Sequence, residues 1–227
     1  MITTKNYPEP PIDKKEILRY AGCKDMTDES LQFLLEECLK EVLPKLSYKV
    51  CYTELPLTFV EDGCDFGCMQ IVSKDLKKNL KGCKTSVLFA ATVGVEIDRL
   101  IAKYGHISPV KSVMLQAIGA ERIESLCDTF CEDMKSKSIE DGWKLRPRFS
   151  PGYGDLPLET QKDIFQVLNC SKNIGISLND SLLMSPSKSV TAFVGIGTEC
   201  MEATHSCLKC NKADCAYREE LEKEEFR

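Results

Sequence analysis

Apolar side chains return at helical spacing between residues 28 and 43. Leu31, Leu34, Leu35, Cys38, Leu39, Val42 and Leu43 fall on one face, so the pattern predicts a helix over 28–43, capped by Thr27 and ended by Pro44. Cys38 lies on that stripe and reads as core. Ahead of it, Pro8, Pro10 and Pro11 resist helix and make residues 1–12 an extended arm, while Asp13–Tyr20 reads as a short helix ending near Gly22. From Tyr48 to Leu55 the period falls to two, with Tyr48, Val50 and Tyr52 on one side and Lys49 and Cys51 on the other, as in a half-buried strand. Leu57–Val60 is expected to continue that sheet, and Gly63–Cys68 to turn into a strand at 68–72. Lys74–Leu80 is a charged helix. Thr85–Val93 (TSVLFAATV) is the most apolar strand of the chain and belongs at the centre of a sheet.

Gly94 leads into a helix over 95–104, closed by Gly105. Ser108-Pro109 then starts a long helix running to about Lys137, since proline fits a first helical turn. Val113, Met114, Ala117, Ala120, Ile123, Leu126 and Cys127 are its core candidates, and Cys127 and Cys131, one turn apart, read as packing. After a turn, a short amphipathic helix gives way to an apolar β-rich run interrupted by MSPSKSV at 184–190. Helices beside mostly antiparallel strands make the class α+β, a twisted antiparallel sheet flanked by helices.

Length and composition narrow the function. A chain of 227 residues can bury a core without covalent staples. Its net charge of −5 lacks the footprint of a nucleic-acid binder, although Lys135, Lys137, Lys144, Arg146 and Arg148 cluster locally. The polar start MITTKNYPEPPIDKK and the absence of any 18-residue apolar run point to the cytoplasm. Thirteen cysteines in such a chain suggest free thiols, metal ligands or redox groups rather than disulfides.

Two stretches carry candidate chemistry. Arg146 and Arg148 precede the turn SPGYGD, where Gly152 and Gly154 let the backbone bend sharply or approach a ligand. An arginine there can hold a carboxylate with its planar fork, or make a structural ion pair. The other stretch is CMEATHSCLKCNKADCAYR at 200–218. Cys207, Cys210 and Cys215 form C-x2-C-x4-C with Cys200 upstream, a set of thiolates suited to zinc or an iron–sulfur cluster, with His205 as an alternative fourth zinc ligand. A redox-active thiol pair is the other reading. Cys64 and Cys68 are more loosely spaced for a metal.

RFSPGYGDLP, IFQVL, IGISL and SLLMSPSKSV, in that order and spacing, resemble the activation (reactivation) domain of cobalamin-dependent methionine synthase. ATVGVEIDRLIAKYG and MLQAIGAERIESLCDTF resemble its strand, short helix and long helix, so the likeness covers about residues 84–196. It implies the family's α+β fold and three parts: 1–83, helices and strands of the same domain; 84–197, the activation-like core; and 198–227, an added cysteine-rich tail. It also implies that S-adenosylmethionine is bound by Arg148, Pro151, Gly152, Tyr153 and Asp155, with Arg148 on the methionyl carboxylate. Met184, Pro186, Ser189 and Val190 would shape the site, and Glu140, Asp141 or Asp155 would face the ligand's amino group or ribose. The chain departs from the family at Ala192-Phe193-Val194, where a bulky aromatic pair including a tyrosine is expected. It departs again at Leu156, where the family has cysteine, and in residues 1–30, which lack the acidic and aromatic signature.

The activity implied is reductive reactivation of a corrinoid protein. S-adenosylmethionine supplies a methyl group while an electron reduces the cobalt, and methylation pulls the uphill reduction forward. No cobalamin-binding module is recognisable here, so the partner would be a methionine synthase lacking its own activation domain or another corrinoid methyltransferase. A flavodoxin- or ferredoxin-type protein would donate the electron, and a cluster in the tail could deliver it. Two other readings stand beside this one: a non-catalytic docking module for a corrinoid protein, and a cluster-bearing electron carrier.

Overall fold

The computed structural model describes residues 1–23, 28–139 and 142–198. The arm is partly a strand, β1 (Thr3–Tyr7), followed by α1 (Lys14–Tyr20), which Asp13 caps through its side chain. Next comes α2 (Glu29–Val42). Thr27 lies outside the described residues; the N-cap is Asp28, whose carboxylate accepts from Ser30 N–H at 2.8 Å. A 3₁₀ turn (Leu43–Lys45) leads to β2 (Tyr48–Pro56). Then follow β3 (Thr58–Val60), β4 (Gly63–Asp65), β5 (Gln70–Val72) and α3 (Lys74–Asn79). The apolar run is β6 (Thr85–Thr92), and α4 (Glu96–Ile107) and α5 (Pro109–Ile139) follow it. The last third holds β7 (Lys144–Leu145), α6 (Thr160–Leu168), α7 (Cys170–Ile174), β8 (Ser177–Leu178), β9 (Met184–Ser185) and β10 (Ser189–Gly197).

The main sheet has the order β1-β2-β6-β10-β7, and each of its pairs is antiparallel. Strand β6 is central, as its unbroken apolar run requires. Two apolar clusters divide the sheet by the period of two. Tyr48, Val50, Val87, Phe89, Ala91, Ala192 and Val194 pack with α1, α2, α4 and α5 on one face. Cys51, Leu55, Leu88, Ala90 and Phe193 pack with α3, α6 and α7 on the other. Strand β2 is therefore covered on both faces rather than half-buried.

Several boundaries differ from the sequence reading. Residues 58–60 do not extend the main sheet; β3, β4 and β5 form a small sheet of their own beyond Pro56, which ends β2. The expected turn at Gly63 is itself a strand, close enough that a Cβ on Gly63 would stand 1.9 Å from the Ile71 carbonyl oxygen. Helix α4 passes through Gly105 and stops at Ser108, because the residue before Pro109 is pushed out of helical geometry. Val113 on α5 is 54% exposed, not core. The run after α6 begins with a further helix, α7. Cys38 and Cys127 are buried as expected. Cys64 is buried while Cys68 is exposed, and no metal-holding group of His, Cys, Asp or Glu occurs among the described residues. None of the described helices is long and apolar enough to cross a membrane.

Helix α5 carries a buried charge pair that fixes the N-terminal arm. The side chains of Glu121 and Arg122 are 2% and 0% exposed and joined at 2.5 Å. Arg122 also donates to the Pro10 and Pro11 carbonyl oxygens at 2.8 and 2.5 Å, and Glu121 accepts from Asp13 N–H at 2.9 Å and the Ser125 hydroxyl at 2.7 Å. Near the other end of α5, Asp133 receives Lys5 at 2.7 Å and the Tyr7 hydroxyl at 2.8 Å. Arg122→Ala strands the Glu121 carboxylate in the core, and is expected to lower unfolding free energy by about 3–5 kcal/mol. Urea denaturation checks this; a loss under about 1 kcal/mol, the level of an exposed pair, contradicts it.

Candidate functional site

The turn after Arg148 is set against β10 by one bridge. Phe149 and Phe193 exchange backbone hydrogen bonds of 2.9 Å in both directions. Beyond Pro151 the chain folds on itself: Tyr153 N–H donates to Ser150 O, Leu156 N–H to Tyr153 O and Gly152 N–H to Leu156 O. Gly152 and Gly154 have φ of +86° and +57°, the left-handed region that a side chain disfavours. A Cβ at Gly154 would also stand 2.5 Å from an Asp75 carboxylate oxygen. Leu156 is buried and anchors the turn in the second cluster. Tyr153 is 65% exposed, its ring edge-on to Phe149 at 5.3 Å.

Asp155 faces α3. Its carboxylate accepts from the Ser73 hydroxyl, from Lys74 N–H at 2.8 Å and from Asp75 N–H at 3.1 Å. These amides are among the unpaired donors of a helix N-terminus. Asp75 returns the contact, accepting from Asp155 N–H at 3.3 Å. The Ser73 hydroxyl, joined by the two backbone N–H groups, holds the Asp155 carboxyl below its ordinary value.

Arg148 points at α5. One guanidinium nitrogen lies 2.9 Å from Glu124 and 3.0 Å from Asp128, carboxylates one turn apart on that helix. The other terminal nitrogen, Nη1, is buried and has no hydrogen-bond partner among the described residues. Cys127 and Cys131 line the same side. Burial pushes both thiols up, Cys131 to about 11, against the opposing pull of Arg148. They stay protonated at neutral pH and are poor nucleophiles.

The second predicted segment enters β10 from its other end. Met184 pairs with Leu178 in the β8–β9 hairpin, and the Ser185–Pro186 peptide is cis. Ser187 donates its N–H and hydroxyl to Asp98 of α4 at 2.7 and 2.5 Å. Lys188 lays its stem where a Cβ on Gly119 would be, with its Cε 2.9 Å from that point, and burial lowers its pKa. The Ser189 hydroxyl lies 2.9 Å from Thr92 Oγ1 and 2.8 Å from the Pro186 carbonyl oxygen. Val190 is half-buried against the first cluster.

The two segments thus meet the first half of β10 from opposite ends. About 14 Å of strand separates Ser189 from Phe193, at roughly 3.4 Å per residue. Helix α5 touches both segments, through Gly119 at Lys188 and through Glu124 and Asp128 at Arg148.

A family model for the activation domain of vitamin B12-dependent methionine synthase matches residues 77–217, more than half of the chain. The chain belongs to this family. The match starts a little before the likeness read from the motifs and reaches further at its end, taking in Cys200, Cys207, Cys210 and Cys215. The fold of this activation-domain relative is also similar to a crystal structure of the MetH reactivation domain bound to AdoHcy. The TM-score is 0.63 at 15% identity, over 90% of this chain and 81% of that one. Comparison with curated protein sequences finds no match.

Of the predicted residues, the structure groups Arg148, Pro151, Gly152, Tyr153 and Asp155 in one turn, with Asp155 directed to α3. It places Met184, Pro186, Ser189 and Val190 apart from them, in the crossover to β10. Glu140, Asp141 and the tail cysteines lie outside the described residues. Lys135 pairs with Glu132 at 3.8 Å and Arg146 donates to the Asn79 carbonyl oxygen at 2.5 Å, so the local basic run does not act as one patch. Glu124 and Asp128 were missed, although carboxylates at i and i+4 on a helix are a visible pattern.

The Asp155 contacts carry a pH dependence. A carboxyl with a lowered folded pKa stabilises the fold above its unfolded pKa, and that contribution is lost as pH falls through the folded value. The amide resonances of Lys74 and Asp75 are expected to titrate with a midpoint below the ordinary aspartate value of 3.8. A midpoint at or above that value, measured by NMR, contradicts the assignment.

Proposed function

We propose that this chain binds S-adenosylmethionine at the Arg148–Asp155 turn and supports reductive methylation of the cobalt in a corrinoid-binding methionine synthase or another corrinoid methyltransferase. Membership of the activation-domain family ties it to cobalamin reactivation. One observation carries the ligand assignment: a cation and two carboxylates stand together at the turn, with Arg148 Nη1 buried and unpartnered. A methionyl group is itself a zwitterion, and this set complements it. Arg148 takes the carboxylate by exchanging its contacts to Glu124 and Asp128, which then receive the ammonium. Gly152 and Gly154 bring the backbone close, and the exposed Tyr153 ring offers an aromatic face.

Asp155 acts through α3, holding the turn in shape. Met184, Pro186, Ser189 and Val190 fix the path into β10. Bound together, S-adenosylmethionine supplies the methyl group and the partner's corrinoid supplies the metal that accepts it. The protein's share is binding, orientation and exclusion of water. Cys200, Cys207, Cys210 and Cys215 are assigned to zinc or an iron–sulfur cluster on their spacing, and a cluster would pass on an electron from a flavodoxin- or ferredoxin-type donor.

Calorimetry with S-adenosylmethionine tests the site. Arg148→Ala is expected to weaken binding by about 2 kcal/mol or more, and Glu124→Gln with Asp128→Asn to weaken it while leaving the fold intact. Equal affinity in wild type and Arg148→Ala overturns the site assignment. The tail is tested by metal and sulfide analysis of anaerobically purified protein, with Cys207→Ser/Cys210→Ser expected to lose the metal. Wild-type protein that stays metal-free after reconstitution with zinc, or with iron and sulfide, overturns it.

A further inference from the structure

Two buried thiols meet across the second cluster. Cys51 lies on β2, opposite Ala90 of β6, and Cys170 is the first residue of α7; each is 0% exposed. Helix α7 packs on β2 and β6, and the Cys170 S–H donates to the Cys51 sulfur. That hydrogen bond holds the Cys51 thiol below its ordinary pKa in spite of burial, and pushes Cys170 up. The contact joins residues far apart in sequence, and the proposed ligand chemistry makes no use of it. Cys127 and Cys131, one turn apart on α5, differ in geometry. Cβ atoms at that spacing are about 5–6 Å apart, whereas a disulfide needs about 3.8 Å. Helix α7 also offers a way in. It is one turn long, between Asn169 and Gly175, both left-handed at φ of +46° and +75°. A helix this short has little stability of its own, and such segments open locally while core strands stay formed.

We propose that Cys51 and Cys170 form an oxidisable pair, which a peroxide converts to a disulfide tying α7 to β2. The step balances in two stages. Peroxide takes two electrons from the Cys51 sulfur, leaving a sulfenic acid and one water. The Cys170 sulfur then attacks that sulfur, the S–S bond forms, and the sulfenic hydroxyl leaves with the Cys170 proton as a second water. Cys51 goes first because its thiolate is the favoured one, and Cys170 already stands beside it. A dithiol reductant reverses the bond. Phe149 and Leu156 of the Arg148 turn share this cluster, so the bond restrains the layer that anchors the turn without adding a group to it. Because α7 must open to admit the oxidant, the pair reacts more slowly than the exposed Cys68.

The test treats the full chain, purified under reductant, with hydrogen peroxide, blocks the remaining thiols with N-ethylmaleimide and maps the digest by mass spectrometry. A Cys51–Cys170 peptide pair that dithiothreitol separates is expected, formed without denaturant and after Cys68 has reacted. Its formation should raise the melting temperature by about 5 °C or more, since a cross-link over so long a loop restricts the unfolded chain. Cys170→Ala should abolish both the peptide pair and the rise. Recovery of Cys51 and Cys170 as separate blocked thiols, once Cys68 is fully oxidised and excess peroxide has acted to completion, overturns the proposal. So does Cys51 joined to Cys64 or Cys83 instead, or a Cys51–Cys170 link that forms only in urea. The map is read on the wild-type chain, so the result stands even where the variant fails to fold.

Discussion

Everything at the sheet's first edge depends on burying one ion pair. Taking Glu121 and Arg122 out of water costs several kcal/mol per ion, which is recovered only if nearly every polar atom finds a partner. The partners are backbone groups of the arm: the Pro10 and Pro11 carbonyls and the Asp13 N–H. The prolines have no N–H to place and their carbonyls are free to accept, so an extended segment ill-suited to helix becomes the right complement to a guanidinium. Because Asp13 also caps α1, the same contact fixes where that helix starts. The arm is held both by these charged contacts and by Tyr7 and Ile12 packed in the first cluster.

Helix α5 makes this possible because it is long and placed across the centre of the sheet. Its 31 residues carry, in order, a glycine that admits the Lys188 stem, the buried pair, the carboxylates that meet Arg148, and the aspartate that receives Lys5 and Tyr7. Segments distant in sequence are thereby referred to one rigid rod. A displacement of α5 along its axis would be felt at once by the arm, the Arg148 turn and the entry to β10. This is a reason for the turn to keep its shape, since rigid elements hold a site more accurately than loops do.

The sequence made the central elements legible because their patterns are unambiguous. The apolar run 85–93 can only be an interior strand, and Pro109 can only begin a helix. It was less legible where two rules compete. Gly105 looks like a helix terminator, but Pro109 acts more strongly by excluding helical geometry at Ser108. Residues 58–60 have strand character without any local mark of which sheet they join; they pair with β4, which packs closely on β5 through Gly63 and Ile71 once β2 has ended at Pro56. Within the site, Gly152, Gly154 and Arg148 could be read from type and spacing. Their partners were harder: the i, i+4 pair Glu124 and Asp128 is a visible pattern, but nothing in a helical sequence marks that it, or Asp75, meets a distant loop.

The charge count at Arg148 bears on what the turn can recognise. One guanidinium between two carboxylates leaves a net negative charge, so a ligand offering only an anion meets repulsion. A ligand offering both signs lets each charge exchange partners without leaving one uncompensated. The exchange costs little, because Glu124 is half-exposed and Asp128 exposed, and such pairs contribute only about 0–1 kcal/mol. Arg148 itself is mostly buried, so a new partner there is worth more than the old ones. The same arrangement explains why Cys127 and Cys131 stay protonated beside a cation: burial outweighs the guanidinium, whose charge is already shared with the acids. The charge set at the turn therefore complements a zwitterion better than an anion, as the proposed methionyl ligand requires, while the α5 thiols beside it stay protonated.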